Sequence, residues 1–283
     1  MNPTPEIPTE RFEVFASGLD HPECIAFDRE GHLWAGGEAG QIYRIDLSGK
    51  VHTLATLGGF TGGIAFSPLD HQLYVCNPSL GMVKVGPDGG HAVFAAEAAG
   101  HKLICPNYPA FDRRGRLYVS ESGNWKKHNG LLLRFDPGGA GQVIGGPFGY
   151  ANGLAISADE RYLFMAESDT DCVFRFELNE DGQLGRREVY AESVGRLPDG
   201  LTLDEAGNLY VACYASDEIW RISASREKTL LAWDHHAILL GRPTNLAWGG
   251  PERDVLYVAN LGRYTVTRAH LHGVRGQRLA NQL

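Results

Sequence analysis

No apolar run in this sequence is long enough to suggest a membrane span, and no secretory hydrophobic segment opens it. Cysteine is sparse: Cys24, Cys76, Cys105, Cys172 and Cys213 form an odd, scattered set without a CxxC. That argues against a disulfide framework and for small apolar thiols in a reduced compartment. A basic excess is also lacking. The formal charge of −8 argues against a phosphate-binding face and so against a nucleic-acid partner. It is compatible with cation binding. These absences lead us to expect a cytoplasmic protein with a small-molecule partner, no nucleic acid and no membrane, as a monomer or weak homo-oligomer.

Glycine, in contrast, is abundant at 36 residues, as a chain with many tight turns requires. The stretch PDGLTLDEAGNLYVACY from Pro198 shows why: two apolar strands flank a short polar interval with a Gly after an Asp, a hairpin signal. Close copies recur as PECIAFDREGHLWAGG from Pro22, TGGIAFSPLDHQLYVCN from Thr61 and PNYPAFDRRGRLYVSES from Pro106. ANGLAISADERYLFMAES from Ala151 and PTNLAWGGPERDVLYVAN from Pro243 complete the series. By subtraction the units start 39, 45, 45, 47 and 45 residues apart. Each hairpin precedes a third strand, such as LLLRFDP from Leu131, and a fourth outer segment closes most units.

Four strands at a period in the forties is the signature of a propeller blade. The sequence predicts an all-β, six-bladed β-propeller with four antiparallel strands per blade. The last unit lacks an outer strand after Gly273, whereas RFEVFASGL from Arg11 reads as an unassigned strand. The N-terminal strand is therefore expected to complete the sixth blade and close the ring. Residues 1–10, with three prolines, read as a flexible leader, and 11–283 as a single propeller domain.

The first strand of every blade lines the central channel, so equivalent residues near its start converge on one point. That column reads Glu23, Gly62, Asn107, Asn152, Asp199, Thr244. Four of these carry carboxylate or amide oxygens on otherwise apolar strands. Asn and Asp often serve strand starts by satisfying nearby backbone groups, and any one of them can be read that way. Four in phase around one axis point instead to a cation, without which converging carboxylates would repel and remain under-satisfied. The expected ligands are Glu23, Asn107, Asn152 and Asp199, holding one divalent cation. An all-oxygen set favours Ca²⁺, then Mg²⁺ or Mn²⁺; Zn²⁺ or Fe²⁺ suits it less, because no His or Cys occupies the column.

The phased Glu, Asn, Asn and Asp, in the motifs HPECIAFD, PNYPAFD, ANGLAIS and PDGLTLDEAGNLYVACY, resemble the regucalcin/gluconolactonase (senescence marker protein) family. Drp-type lactonases, diisopropyl fluorophosphatase and the more distant paraoxonases are related to it. The resemblance implies a divalent metal at the propeller centre and hydrolysis of lactones or phosphotriesters. Glu23, Asn152 and Asp199 match the metal ligands of the sugar-lactonase branch. Asn107 matches a residue that contacts substrate there and metal in the fluorophosphatase branch. The sugar-lactonase branch usually carries an Arg two residues before that Asn and an Asp just after it. Cys105 and Tyr108 stand there in this sequence, so an apolar lactone or ester fits at least as well as an aldonolactone.

The leading expectation is a metal-dependent lactonase-like hydrolase with Asp199 as general base or nucleophile. Glu23 is the second catalytic choice, chiefly a charge-balancing ligand. Phosphotriester hydrolysis at the same site is one alternative, and a non-catalytic ligand- or protein-binding propeller with a structural cation is another. The loops between second and third strands share the face of the column. Asn107, Tyr108, Tyr150, Tyr214, Trp125 and His128 are thus the expected substrate-binding residues. Glu121 and Glu167, in phase after their second strands, read equally as supporting carboxylates or as plain hydrogen-bonding groups between blades.

Overall fold

The hairpins of blades one, three and five are tied by their own side chains. In the computed structural model, which describes residues 4–283, the Asp204 carboxylate accepts from Asn208 N at 2.9 Å and from the Tyr210 hydroxyl at 3.0 Å. Gly207 completes the turn at φ +81°, a left-handed conformation that glycine adopts without steric cost. Asp112 repeats the arrangement with Arg116 N at 2.9 Å and the Tyr118 hydroxyl at 3.4 Å, and Trp34 Nε1 donates to Asp28 at 2.9 Å. The string Asp-x-x-Gly-x-Leu-aromatic thus encodes turn, register and the first buried residues of the second strand together.

Six four-stranded antiparallel sheets result, forming the six-bladed β-propeller expected. Blades one to five occupy residues 25–56, 64–95, 106–148, 151–191 and 198–233, and blade six 243–270. The inner strands Ile25–Phe27, Ile64–Phe66, Pro106–Phe111, Ala151–Ile156, Pro198–Leu203 and Pro243–Gly249 each touch the next, and the last touches the first. A small hairpin, Glu97–Ala98 with His101–Lys102, lies between blades two and three. Among the described residues helix is confined to three short 3₁₀ turns, and no helix is long and apolar enough to cross a membrane.

The ring closes as expected. Glu13–Ser17 is the outermost strand of blade six, antiparallel to Thr265–His270. Apolar clusters between adjacent blades hold the ring together; one joins Tyr210 and Ile219 of blade five to Leu246 and Leu256 of blade six, with Phe12 beside them. The expected flexible leader differs in part. Glu6 N and Ile7 N donate to Leu230 O and Leu231 O at 3.0 and 2.8 Å, because the outer strand of blade five offers an edge with free carbonyls. Ile7 also packs on the cluster around Phe12. Met1–Pro3, which begin that leader, lie outside the described residues. At the opposite end of the chain, Gln277 Nε2 donates to Ile156 O at 2.9 Å and Asn281 Nδ2 to Phe27 O at 3.2 Å. They cap one end of the channel over an aliphatic and aromatic cavity of about 110 Å³.

Phe12 is 3 % exposed and leads directly into the closing strand. Phe12→Ala should therefore lower unfolding stability by about 3–5 kcal/mol, read from denaturant midpoints at constant slope.

Candidate functional site

The polar column sits where the inner strands break register. Pairing skips from Pro106 to Tyr108, from Ala151 to Leu154, from Pro198 to Leu201 and from Pro243 to Asn245. Asn107, Asn152, Asp199 and Thr244 therefore occupy bulges, which bend a strand and re-aim the side chain at the extra residue. In blades one and two regular pairing begins only at Ile25 and Ile64, after Glu23 and Gly62. The glycines that follow ligand positions explain the Asn-Gly and Asp-Gly pairs. A Cβ on Gly153 would collide with the Asp199 carbonyl, and one on Gly200 would lie 2.5 Å from the Thr244 carbonyl. Adjacent inner strands approach too closely at these points for any side chain.

Glu23, Asn107, Asn152 and Asp199 all line one cavity of about 390 Å³ at this end of the channel. Residues from three blades and the linker into blade one are thus brought together. Trp125, Tyr150 and Tyr214 line the same cavity, with Phe60, Leu197 and Leu261 completing its apolar wall. The Trp125 and Tyr150 rings meet edge-on at 5.0 Å. Two expected residues lie elsewhere. Tyr108 follows the bulge and points down the channel, where it lines the opposite cavity and its hydroxyl reaches Leu201 O at 3.4 Å. The His128 side chain is 62 % exposed, 3.9 Å from Asp169, and is not among the lining residues.

The chemistry of the cavity floor is dominated by two carboxyl groups without a cationic neighbour. Glu23 keeps some exposure along the cavity wall, yet burial of its carboxyl raises its pKa to about 7. Burial also raises Asp199, and the nearby Glu23 charge raises it further; a hydrogen bond from Asn152 opposes both. Asn152 is buried, and its amide nitrogen donates to Ser168 Oγ at 3.1 Å. Its Oδ1 is buried with no partner. An orphaned amide oxygen beside two mutually repelling carboxyls is a donor set that a hard divalent cation satisfies. The residues present therefore fit the group. Thr244, the sixth column member, also keeps a buried hydroxyl oxygen without a partner.

Surrounding groups fix the linkers that carry these residues to the face. Glu121 accepts from Ile104 N at 3.2 Å and Cys105 N at 2.6 Å, and Glu167 accepts from Gly149 N at 2.7 Å. Both phased glutamates are accordingly backbone clamps. Burial pushes the Cys105 thiol up, with the Glu121 charge adding to it, so Cys105 serves the wall as a neutral group.

Comparison with known proteins places the chain in context. The pattern of the SMP-30/gluconolactonase/LRE-like region matches residues 80–261, and a strictosidine synthase-like N-terminal pattern matches residues 14–45. A 6-deoxy-6-sulfogluconolactonase of Pseudomonas putida is 30 % identical over 239 residues, covering 80 % of this chain and 78 % of that protein. Strictosidine synthase-like protein 9 of Arabidopsis thaliana is 26 % identical over 232 residues, covering 70 % of this chain and 62 % of that protein, so the chain spans under two thirds of its length. The crystal structure of a calcium-binding protein, regucalcin, from Agrobacterium tumefaciens superposes with a TM-score of 0.79 at 17 % identity, over 96 % of this chain and 97 % of that one. At that identity the likeness shows the fold.

The raised carboxyl groups give a signed expectation. A carboxyl whose folded pKa exceeds its unfolded value contributes stability that is complete below the unfolded pKa and lost as pH rises through the folded one. Without divalent cations, wild-type Tm should fall relative to Glu23→Gln between pH 4.5 and about 7. Added Ca²⁺ should remove that fall. Parallel thermal-melt curves for the two chelated proteins across the window would contradict the assignment.

Proposed function

The chain belongs to the SMP-30/gluconolactonase/LRE-like family, and on that premise we propose that it is a divalent-cation-dependent hydrolase opening a neutral lactone or small ester of apolar character. The observation that carries this reading is the cavity itself. Two carboxyl and two amide side chains lie at the base of an aromatic and aliphatic wall, and none of its described lining residues is Lys or Arg. Two cations next to lining residues are engaged: Lys126 Nζ lies 2.7 Å from Asp169, and Arg242 Nη1 donates to the Tyr214 hydroxyl at 2.6 Å. Cys105, where sugar lactonases usually hold an Arg, supports the apolar preference.

Glu23, Asn107, Asn152 and Asp199 would hold the cation, and their hard oxygens favour Ca²⁺. When bound, it supplies Lewis-acid polarisation of the substrate carbonyl and stabilises the charge that develops there. Asp199 is the base: ionised beside the cation, it takes a proton from water as the water oxygen adds to the carbonyl carbon. The ring C–O bond then breaks, and Asp199 returns the proton to the departing ring oxygen. One lactone and one water give one hydroxy acid. Glu23 balances the cation charge, while Trp125, Tyr150 and Tyr214 bury the apolar part of the substrate.

Activity should depend on added divalent cation, vanish with chelator, and favour alkyl-substituted lactones over polyhydroxylated or anionic ones. Asp199→Asn should lower kcat/KM by about 100-fold or more. Steady-state kinetics on such a panel decide the matter. Full activity of Asp199→Asn on every lactone, with cation retained, would remove the catalytic reading in favour of a binding scaffold. Faster turnover of charged sugar lactones would remove only the apolar assignment.

A further inference from the structure

We infer that the hydroxyls of Ser122 and Ser168 are positioning groups that set the cation ligands of the blade that follows each of them. This rests on the cation-dependent reading above. Ser122 and Ser168 hold the same place in blades three and four, directly after the clamping glutamates Glu121 and Glu167. The equivalent residues in the other blades are Glu38, Pro78, Tyr214 and Leu261, which carry no small hydroxyl. Both serines are buried. Ser122 Oγ crosses to the next blade and donates to Ala151 O at 2.7 Å, the carbonyl just before Asn152. Ser168 Oγ crosses in the same way and donates to Pro198 O at 2.7 Å, the carbonyl just before Asp199.

Ser168 does a second thing. Its single proton is committed to Pro198 O, so it can only accept from Asn152, and it does so from Nδ2 at 3.1 Å. That fixes which end of the Asn152 amide faces away from Ser168, leaving Oδ1 as the buried atom without a partner. One hydroxyl therefore orients the side chain of one ligand and anchors the backbone of the next. The preceding glutamate works in the other direction, holding the linker that enters its own blade. The Glu-Ser pairs of blades three and four thus couple Asn107, Asn152 and Asp199, whereas a core serine of purely packing value would need neither contact. Groups that orient ligands in this way influence metal affinity by about 10- to 100-fold.

The test is calorimetric titration of chelator-stripped full-length protein with Ca²⁺, beside metal-free denaturant midpoints. Ser168→Ala should weaken Ca²⁺ binding by about 10-fold or more, and Ser168→Thr, which keeps the hydroxyl, should recover most of it. Ser122→Ala should shift affinity in the same direction by less, because it touches no ligand side chain; it also carries the test where Ser168→Ala does not fold. Unchanged Ca²⁺ affinity in the folded alanine variants, with only the metal-free midpoint lowered, overturns the inference and leaves the cation reading standing. Wild-type protein that binds no Ca²⁺ overturns both.

Discussion

Two carboxyl groups held together without a compensating charge are the constraint on which this propeller turns. Glu23 and Asp199 come from opposite parts of the chain; burial makes both harder to ionise, and the Glu23 charge adds to this at Asp199. Burying charge in this way is unfavourable unless a counter-charge or a proton is supplied. Most buried acids in this protein avoid the problem: Asp112 binds Arg116, and Asp204 binds backbone and hydroxyl groups of its own hairpin. The pair at the channel floor has no such partner among the described residues. A proton or a bound counter-charge would relieve it.

The scaffold makes that arrangement tolerable by rigidity. Asn107, Asn152, Asp199 and Thr244 lie in bulges of inner strands, Glu23 just before the inner strand of blade one, and the inner strands form a closed ring locked by the N-terminal strand. Glycines at 153 and 200 let neighbouring strands approach until their backbones touch. Repulsion at the centre cannot then be relieved by one blade moving away. The same stiffness leaves the walls to the loops and linkers, which carry Trp125, Tyr150 and Tyr214.

The fold was legible because repetition converts a weak hairpin signal into a strong one. Six phased copies define the blades, and the one missing outer strand identifies Arg11–Leu19 as the closing element. The column of polar residues followed from that phasing, and all four expected ligands line one cavity. Three features were not legible. A bulge shifts pairing by one residue without a composition of its own, so Tyr108, one position past Asn107, points down the channel rather than toward the mouth as phasing alone suggests. His128 sits in the longest of the loops between second and third strands, whose path depends on Lys126 and Asp169 rather than on any period. The edge pairing of Glu6 and Ile7 was hidden because it depends on an outer strand more than two hundred residues away.

A second oxygen-rich cluster sharpens the question of where a cation goes. His21 Nδ1 lies 2.9 Å from Asp20 and 2.7 Å from Glu38 near the same face, three side chains whose ligand atoms are also close enough together to hold a metal ion. The most direct measurement is therefore anomalous diffraction from crystals of the wild-type protein soaked in Mn²⁺. The account predicts one strong peak within bonding distance of the Glu23, Asn107, Asn152 and Asp199 oxygens. A channel with no peak, or a peak only at Asp20, His21 and Glu38, would contradict it.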